Sequence, residues 1–259
     1  MRVLAVHKDV LVAVSSFWQT TCTAVRSAEE GFLIDSPVYP VELDALPQLL
    51  AQAAFPVSGL LATHGDWDHL LGRLAFPEIA LGCGESTAER LESEPGTAAR
   101  ELRQFDEEHY VEGRAPLALG GIQTLPVPGR LSLGPEHELE LHPTGGHTPD
   151  GSAFLIGWAR VLVCGDYLSP VEIPAISPGG STTVYLATLE RLAPLVERVE
   201  TVVPGHGAPV TRERARKILQ EDVDYLLALT RDGPDAQLPP SRHTREQQRL
   251  HAENVELLV

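Results

Sequence analysis

Short apolar segments rich in β-branched residues fill the first third of the chain. Polar pairs such as Lys8-Asp9 and Ser15-Ser16 separate them, which is typical of short strands joined by turns. The pattern predicts an antiparallel meander of four strands, over residues 3–6, 10–14, 21–25 and 32–34.

A helical spacing of apolar positions follows the meander, over residues 44–54. Proline is accommodated in the first turn of a helix and not in its interior, so Pro47 predicts that this helix begins near Asp44. The next apolar segment predicts a strand over residues 58–62.

Residues 85–112 combine helical signals with an excess of negative charge. A capping-box sequence beginning at Ser86 predicts one helix that ends at Pro95-Gly96, and a second helix is predicted over residues 97–110. The segment holds nine acidic residues against three arginines. We interpret it as an acidic helical insertion that forms a solvated face, with a selective lid over an active site as the alternative.

The second half repeats the order of strands followed by a helix. Because each half has this order, we expect two sheets packed face to face with helices outside. Residues 1–230 are predicted to form one domain, and residues 231–259 a tail that begins as a polar linker and ends in a helical stretch. This tail is expected to pack on the domain, to mediate association or to fray. The predicted strands cover residues 122–127, 139–142, 153–156, 161–164 and 201–203, and the helices residues 182–196 and 211–230.

Composition is that of an ordinary globular protein. Of 259 residues, 43% are hydrophobic and 22% charged, which fits neither a disordered chain nor a membrane protein. No apolar run approaches the roughly 18 residues that span a bilayer, so we expect a cytoplasmic protein with no membrane partner. The formal net charge of -16 disfavours nucleic acid and favours a small-molecule substrate, while a homodimer stays open.

Four segments place histidine and aspartate directly after apolar strands, next to glycine or near proline. Glycine at such turns lets backbone approach a bound group closely. Imidazole and carboxylate together are ligands for zinc, iron and manganese, so the four segments predict a metal site. They are THGDWDH at residues 63–69, GGHTPDG at 145–151, VCGD at 163–166 and VPGHG at 203–207.

The order of these motifs resembles the metallo-β-lactamase superfamily, whose signature is a His-x-His-x-Asp-His loop followed by a His, a bridging Asp and a final His. The resemblance covers residues 1–230 and implies an α+β fold, a four-layer αββα sandwich of two mixed or antiparallel sheets. It also implies two divalent metal ions, zinc first, with iron or manganese as alternatives. Carried over to this sequence, it assigns His64 and His147 to the first metal, Asp68, His69 and His206 to the second, and Asp166 to both.

One position departs from that signature, because Asp66 stands where the family has the second histidine. A carboxylate oxygen and the near imidazole nitrogen are both three bonds from the α-carbon, so Asp66 can reach the same metal. The extra negative charge lowers the acidity of bound water and favours harder ions. A carboxylate at this place accompanies iron in the flavodiiron branch of the superfamily. The alternative is that Asp66 only hydrogen-bonds a ligand.

The resemblance implies a metallo-hydrolase in which a metal-bound hydroxide attacks an ester, thioester or lactone. Asp68 is predicted to ligate and orient that hydroxide, and Asp68 or Tyr167 to deliver a proton to the leaving group. A buried tyrosine that only packs and donates one hydrogen bond is the alternative for Tyr167. Two other functions stay open: a non-haem iron oxidoreductase for oxygen, nitric oxide or a persulfide, and a metal-binding protein without catalysis.

Overall fold

The computed structural model of the protein describes residues 1–257. Within them, helix and strand alternate as the hydrophobic pattern predicts, and none of their helices is both long and apolar enough to cross a membrane. The strands are β1 (Arg2–His7), β2 (Val10–Val14), β3 (Thr21–Ser27), β4 (Glu30–Asp35), β5 (Gly59–Leu61), β6 (Leu81–Gly84), β7 (Ile122–Leu125), β8 (Gly129–Leu133), β9 (His137–Pro143), β10 (Ser152–Ile156), β11 (Val161–Val163), β12 (Thr201–Val203) and β13 (Val210–Thr211). The helices are α1 (Pro40–Gln52), α2 (Gly72–Ala75), α3 (Glu85–Ser93), α4 (Thr97–Glu108), α5 (Thr182–Arg198), α6 (Arg212–Asp232) and α7 (Arg245–Glu256).

The strands form two mixed sheets. One has seven strands in the order β1-β2-β3-β4-β5-β6-β7, and the other six in the order β13-β12-β11-β10-β9-β8. Strands β1 to β4 pair antiparallel, which confirms the predicted meander. From β4 to β7 the pairing is parallel, as it is between β11 and β12.

Successive residues of a strand face opposite sides of its sheet, so each sheet buries apolar side chains on both faces. The two sheets and the outer helices therefore enclose three apolar layers. Ile34 packs between the sheets, whereas its neighbour Leu33 packs against helices of the seven-stranded half. In the other sheet Phe154 faces inward and Leu155 outward. Helices therefore cover both outer faces, and the predicted αββα sandwich is confirmed.

The first helix begins four residues earlier than predicted. It starts at Pro40, so Pro47 lies in its interior instead of its first turn. The start is set by the turn at Tyr39, whose carbonyl accepts the amide of Glu42 at 3.0 Å and whose amide donates to Oε2 of Glu42 at 3.4 Å. This turn and the burial of Leu43 and Leu46 outweigh the one hydrogen bond that Pro47 cannot donate.

Three short strands, β6, β8 and β13, are missing from the sequence prediction. Strand β6 has the sequence LGCG, in which two of four residues carry no side chain and so leave no alternating pattern. It lies between β5 and β7 in the parallel part of its sheet. Strand β6 forms without an alternating pattern because residues from elsewhere in the chain bury both of its faces.

The chain after α6 lies against the six-stranded half. Ala236 is buried in the outer apolar layer of that half, and Leu250 and Val255 of α7 pack against the same layer. The proposed domain boundary near residue 230 falls within the last turn of α6, which runs to Asp232. The tail is thus folded onto the sandwich over its described length.

Candidate metal centre

The four motif loops meet at one end of the sandwich. Residues 63–69 follow β5 and residues 163–166 begin at the last residue of β11, so both lie at carboxyl ends of parallel strands. Three backbone hydrogen bonds join the halves at this end, one of them from the amide of Gly207 to the carbonyl of Gln19 at 3.0 Å. The amide of Ser152 donates to the carbonyl of Thr63 at 2.7 Å, and that of Thr21 donates to the carbonyl of Gly205 at 2.7 Å.

All seven predicted metal ligands come together here. His64, Asp66 and His147 form one cluster in which a donor atom from each lies within 4.8 Å of the others. Oδ2 of Asp66 lies 3.6 Å from Nε2 of His64 and 3.4 Å from Nε2 of His147. A carboxylate and two imidazoles arranged in this way are a donor set for a divalent metal.

Asp68, His69 and His206 form a second cluster of the same kind. Oδ2 of Asp68 lies 3.6 Å from Nε2 of His69 and 3.5 Å from Nε2 of His206. Asp68 and His69 are consecutive in a short 3-10 helix, Trp67–His69, which turns both side chains to the same end of the loop.

Asp166 lies between the two clusters. Its Oδ2 is 3.3 Å from Nε2 of His147 and 3.2 Å from Nε2 of His206, while its Oδ1 is 3.2 Å from Nε2 of His69. One carboxylate thus contacts imidazoles of both clusters. This is the arrangement that a bridging ligand requires.

Each of the four histidines turns Nε2 toward the centre because its Nδ1 is held from behind. A partner at one ring nitrogen fixes the tautomer and orients the other nitrogen as a ligand. Nδ1 is hydrogen-bonded in three of them, to Thr63 Oγ1 at 3.0 Å in His64, the Ala175 carbonyl at 2.8 Å in His147 and the Trp18 carbonyl at 3.2 Å in His206. Nδ1 of His69 faces Oδ2 of Asp35 at 3.1 Å, without the geometry of a hydrogen bond.

The donor atoms fit a metal in two further respects. Nε2 of His64, His69 and His147 and Oδ1 of Asp166 are buried and have no hydrogen-bond partner among residues 1–257. Buried polar atoms are almost always satisfied, so four such atoms at one place point to a missing partner. Cations that accept lone pairs from the two clusters would supply it.

The electrostatics of the centre also favour positive charge. Burial lowers the pKa of an imidazole, but at His147 the carboxylates of Asp66 and Asp166 outweigh it and raise the pKa to about 9. At His206 burial is outweighed by Asp166 and Glu172, and the pKa rises to about 10. Burial raises the pKa of Asp66, yet the neighbouring imidazoles of His147 and His64 outweigh burial and hold that pKa well below its usual range.

Three residues that hold the ligands in place, Asp35, Asp150 and Arg90, were not predicted from the sequence to have a functional role. Asp35 accepts hydrogen bonds from the amide and the hydroxyl of Thr63, besides facing His69. Asp150 accepts the amide of Gly65 at 2.8 Å, although its sequence suggests only bonds within its own turn. Asp35 has one usable signal, since it ends an apolar strand as the ligands do.

Arg90 of α3 is the third supporting residue. Its guanidinium lies 2.8 Å from Oδ1 of Asp66 and 2.8 Å from Oδ1 of Asp150, so it joins the two loops that carry His64 and His147. The bond to Oδ1 leaves Oδ2 of Asp66 free to face the imidazoles. No motif marks Arg90, because its partners are 24 and 60 residues away in the sequence.

Tyr167 lies beside the centre, but its hydroxyl is already engaged. It donates to the carbonyl of Thr144 at 2.9 Å and accepts the amide of His147 at 3.0 Å. Burial raises the pKa of this hydroxyl. A proton donor would have to direct its proton into the cleft, so the geometry favours the alternative interpretation, in which Tyr167 holds the turn that carries His147.

A cleft of ≈ 570 Å³ opens onto the centre. Trp18 and Trp67 form an aromatic part of its wall, with ring centroids 5.8 Å apart. The acidic segment 85–112 supplies another part through α3 and α4, whose apolar side packs into the core. This segment is thus a wall of the cleft as well as a solvated face. The remaining wall comes from α7 and from residues 172–178 of the loop before α5.

The cleft wall carries more negative than positive charge. Five glutamates line it, against Arg90 and Arg249, and both arginines are paired, Arg249 with Glu253 at 3.3 Å. Burial and the nearby Asp66 raise the pKa of Glu101. Burial likewise raises the pKa of Glu172. The five are Glu94, Glu101, Glu172, Glu246 and Glu253.

Comparison with known proteins agrees with the fold and with the place of the centre. The sequence model described as the metallo-beta-lactamase superfamily matches residues 16–206. This range contains all seven predicted ligands, with His206 at its end. It leaves α6 and α7 outside.

Solved structures share the fold at low sequence identity. A stereoselective inverting sec-alkylsulfatase from Pseudomonas sp. superposes with a TM-score of 0.74 and 13% identity, over 99% of this chain and 49% of that one. A metallo-beta-lactamase family protein from Thermus thermophilus gives a TM-score of 0.65 and 20% identity, over 95% and 90%. TTHA1623 in a di-iron-bound form gives 0.61 and 21%, over 80% and 97%. The chain thus spans about half the length of the alkylsulfatase.

Proposed function

The chain belongs to the metallo-beta-lactamase superfamily, and we propose on this basis that it is a metal-dependent hydrolase of a small-molecule ester, thioester or lactone. The observation that carries the proposal is the convergence of four Nε2 atoms and three carboxylates at the floor of an open cleft. A metal-binding protein without catalysis would not need such access.

The chemistry divides between the ligands and the residues behind them. Two divalent cations held by the seven ligands would supply an activated water at neutral pH and polarise the oxygen of the scissile bond. Asp68 lines the cleft and faces the second cluster through Oδ2, so its carboxylate can orient that water and hold the proton it releases. Arg90 offsets the extra negative charge of Asp66.

The cleft favours a neutral or cationic substrate. Its volume is in the range of small-molecule sites, and Trp18 and Trp67 offer it apolar and π-electron surface. A sulfate or phosphate ester would bring negative charge toward five glutamates, and both arginines of the wall are already paired. We therefore propose an acyl substrate without anionic groups, although one structural neighbour is named an alkylsulfatase.

The test combines metal analysis with an activity panel. We expect protein purified without added metal to contain two equivalents of zinc and to cleave aryl esters, thioesters or lactones. Asp68→Ala should lower kcat/KM by at least about 100-fold, because it removes a ligand and the proton acceptor. The control Asp44→Ala replaces an exposed aspartate of α1 and should leave activity unchanged. Equal turnover by Asp68→Ala and the wild type would exclude the mechanism.

A second candidate is a non-haem iron oxidoreductase. It is favoured by the third carboxylate in the centre, Asp66, and by the likeness to a protein in a di-iron-bound form. Stoichiometric iron with a visible spectrum and reactivity toward oxygen, together with no turnover of any ester in the panel, would select this candidate over the hydrolase.

A further inference from the structure

The loop between β11 and α5 runs along the centre and has no regular secondary structure over residues 169–177. It contacts the ligands through three hydrogen bonds. The carbonyl of Ala175 holds Nδ1 of His147 at 2.8 Å, the amide of Ser177 donates to the carbonyl of His147 at 2.8 Å, and the hydroxyl of Ser169 donates to the carbonyl of His206 at 2.8 Å. The orientation of both histidines therefore depends on where this loop lies.

Side chains of the C-terminal segment hold the loop in place. Oε1 of Gln247 accepts the amide of Ile173 at 2.7 Å. Asn254 makes two hydrogen bonds to the loop: its Oδ1 accepts the amide of Ile176 at 2.8 Å, and its Nδ2 donates to the carbonyl of Pro174 at 2.8 Å. The carbonyl of Ala175 lies between the two residues that Asn254 fixes.

Arg242 secures the near end of the same loop. Its side chain is fully buried and donates to the carbonyl of Glu172 at 2.8 Å. The same nitrogen lies 2.5 Å from Oδ1 of Asp222 in α6. The segment is thus fastened to the body on one side and to the loop on the other.

The burial of Gln247 and Asn254 indicates that their contacts with the loop are specific. Gln247 and Asn254 are 2% and 0% exposed, although α7 as a whole is polar and its other residues are more exposed. Polar side chains are rarely buried unless they satisfy specific partners. Their partners here are backbone groups of the loop, which has no regular secondary structure to satisfy them, and for Asn254 also the hydroxyl of Tyr225.

We propose that Gln247 and Asn254 are positioning residues of the metal centre: they fix residues 173–176 so that the Ala175 carbonyl turns Nε2 of His147 toward the other ligands. The proposal rests on the proposed function only in treating His147 as a metal ligand. It extends the site beyond residue 206, where the family match ends, to a helix near the C-terminus.

Two measurements on the full chain test the proposal. The first is zinc affinity, by competition with a chromophoric chelator, for Gln247→Ala, Asn254→Ala and the control Gln248→Ala. Gln248 has the same side chain on the same helix but is exposed. Loss of the group that orients a metal ligand lowers metal affinity about tenfold or more. The two test variants should release the Ala175 carbonyl that orients His147, so we expect this loss of affinity for them and not for Gln248→Ala.

The second measurement needs no metal. In metal-free protein, the Nδ1 proton of His147, followed by ¹⁵N-edited NMR, should exchange slowly in the wild type and in Gln248→Ala and faster in the test variants. A variant that only loosens the fold would also speed the exchange of backbone amides in both sheets, which a local effect on the loop leaves unchanged. If Asn254→Ala does not fold, Gln247→Ala decides the question by the same two measurements.

The outcomes separate this proposal from the proposed function. Wild-type zinc affinity and wild-type proton exchange in folded test variants would overturn the positioning role, even if the enzyme hydrolyses esters. An equal loss in Gln248→Ala would overturn it as well, because the effect would then belong to the helix in general. Slow exchange that depends on Gln247 or Asn254, in a protein that cleaves no ester, would uphold the positioning role and exclude the hydrolase.

Discussion

At the scale of single residues, Asp66, which stands where the family signature has its second histidine, is paired with Arg90. Asp66 adds a third carboxylate to a centre that already has Asp68 and Asp166, and Arg90 lies 2.8 Å from its outer oxygen. An arginine bonded to one oxygen orients the other and offsets part of the added charge. The substitution of aspartate for histidine is thus supported by its surroundings.

Replacing Asp66 by histidine should change the choice of metal. We expect Asp66→His to shift relative affinity from iron or manganese toward zinc by roughly tenfold or more, because imidazole is a softer ligand than carboxylate. Competition between the metals, read by elemental analysis after dialysis, measures the shift. Asp224→His, at an exposed position of α6, is the control. An unchanged preference would mean that Asp66 does not ligate.

Gly205 is required by the close approach of backbone to the bridging carboxylate. A Cβ at this position would lie 1.9 Å from Oδ1 of Asp166 and 3.0 Å from Cε1 of His69. No rotation of a small side chain relieves contacts that begin at Cβ itself, so Asp166 would have to move.

Gly205→Ala should therefore weaken metal binding by about tenfold or more while most of the fold persists. The matched control is Gly157→Ala, because a Cβ there meets nothing within 4 Å. Zinc titration of the two variants checks the prediction. Equal affinities in both would show that the centre tolerates a displaced Asp166.

At the scale of elements, loops carry the chemistry and helices hold the loops. Helix α3 supplies Arg90, and α7 supplies Gln247 and Asn254. A helix holds a turn in the same way elsewhere in the fold: Glu42 in the first turn of α1 accepts hydrogen bonds from Ser15 at 2.6 Å and Ser16 at 2.8 Å. This contact ties α1 to the turn after β2.

Glu42 should make stability depend on pH. Burial opposes its ionisation, but hydrogen bonds from Ser15, from the ammonium group of Met1 at 2.9 Å and from Ser16 outweigh burial and lower its pKa to about 2, from about 4.5 when exposed. The folded pKa lies below the unfolded one, so the stabilisation is present above about pH 4.5 and is lost as the pH falls toward 2. Its size is at most ~3 kcal/mol.

Glu42→Gln should accordingly lower the free energy of unfolding at pH 5 to 7, and its difference from the wild type should shrink to less than half at pH 3. Urea unfolding at each pH measures this difference. Glu29→Gln, at an exposed position, should differ little from the wild type throughout. A difference for Glu42→Gln that does not vary with pH would show that its carboxylate charge is not what stabilises the fold.

At the scale of the whole molecule, the centre joins the two halves of the sandwich. The seven-stranded half contributes the loop with His64, Asp66, Asp68 and His69, and the six-stranded half contributes the other three ligands. A cation held by both halves binds the folded chain and not the unfolded one, so binding adds to the free energy of unfolding.

Removal of metal should therefore destabilise the entire sandwich. With free zinc a thousandfold above its dissociation constant, we expect ~4 kcal/mol more stability than in chelator-treated protein. Urea unfolding followed by circular dichroism, with and without zinc, tests this. An unchanged midpoint would contradict a site shared between the halves, provided that the protein is first shown to bind zinc.

Much of the molecule was predictable from local pattern. The order of strands and helices followed from apolar spacing, and the seven donor residues stood out because they follow apolar strands beside glycine or proline. Both are properties of neighbours in sequence. Where side chains are absent, as in β6, or where a cap outweighs a proline, as in α1, the local pattern was insufficient.

What only the tertiary structure decided is how the donors are held. Arg90 meets Asp150 across 60 residues, and Asn254 meets Ile176 across 78. A sequence shows that a side chain is polar, but the free energy of burying it depends on a partner brought near by the packing of distant elements. The sequence by itself therefore determined which atoms could bind a metal, while the packing of α3, α7 and the two sheets decided which nitrogen of each histidine faces the centre and what surrounds the cleft.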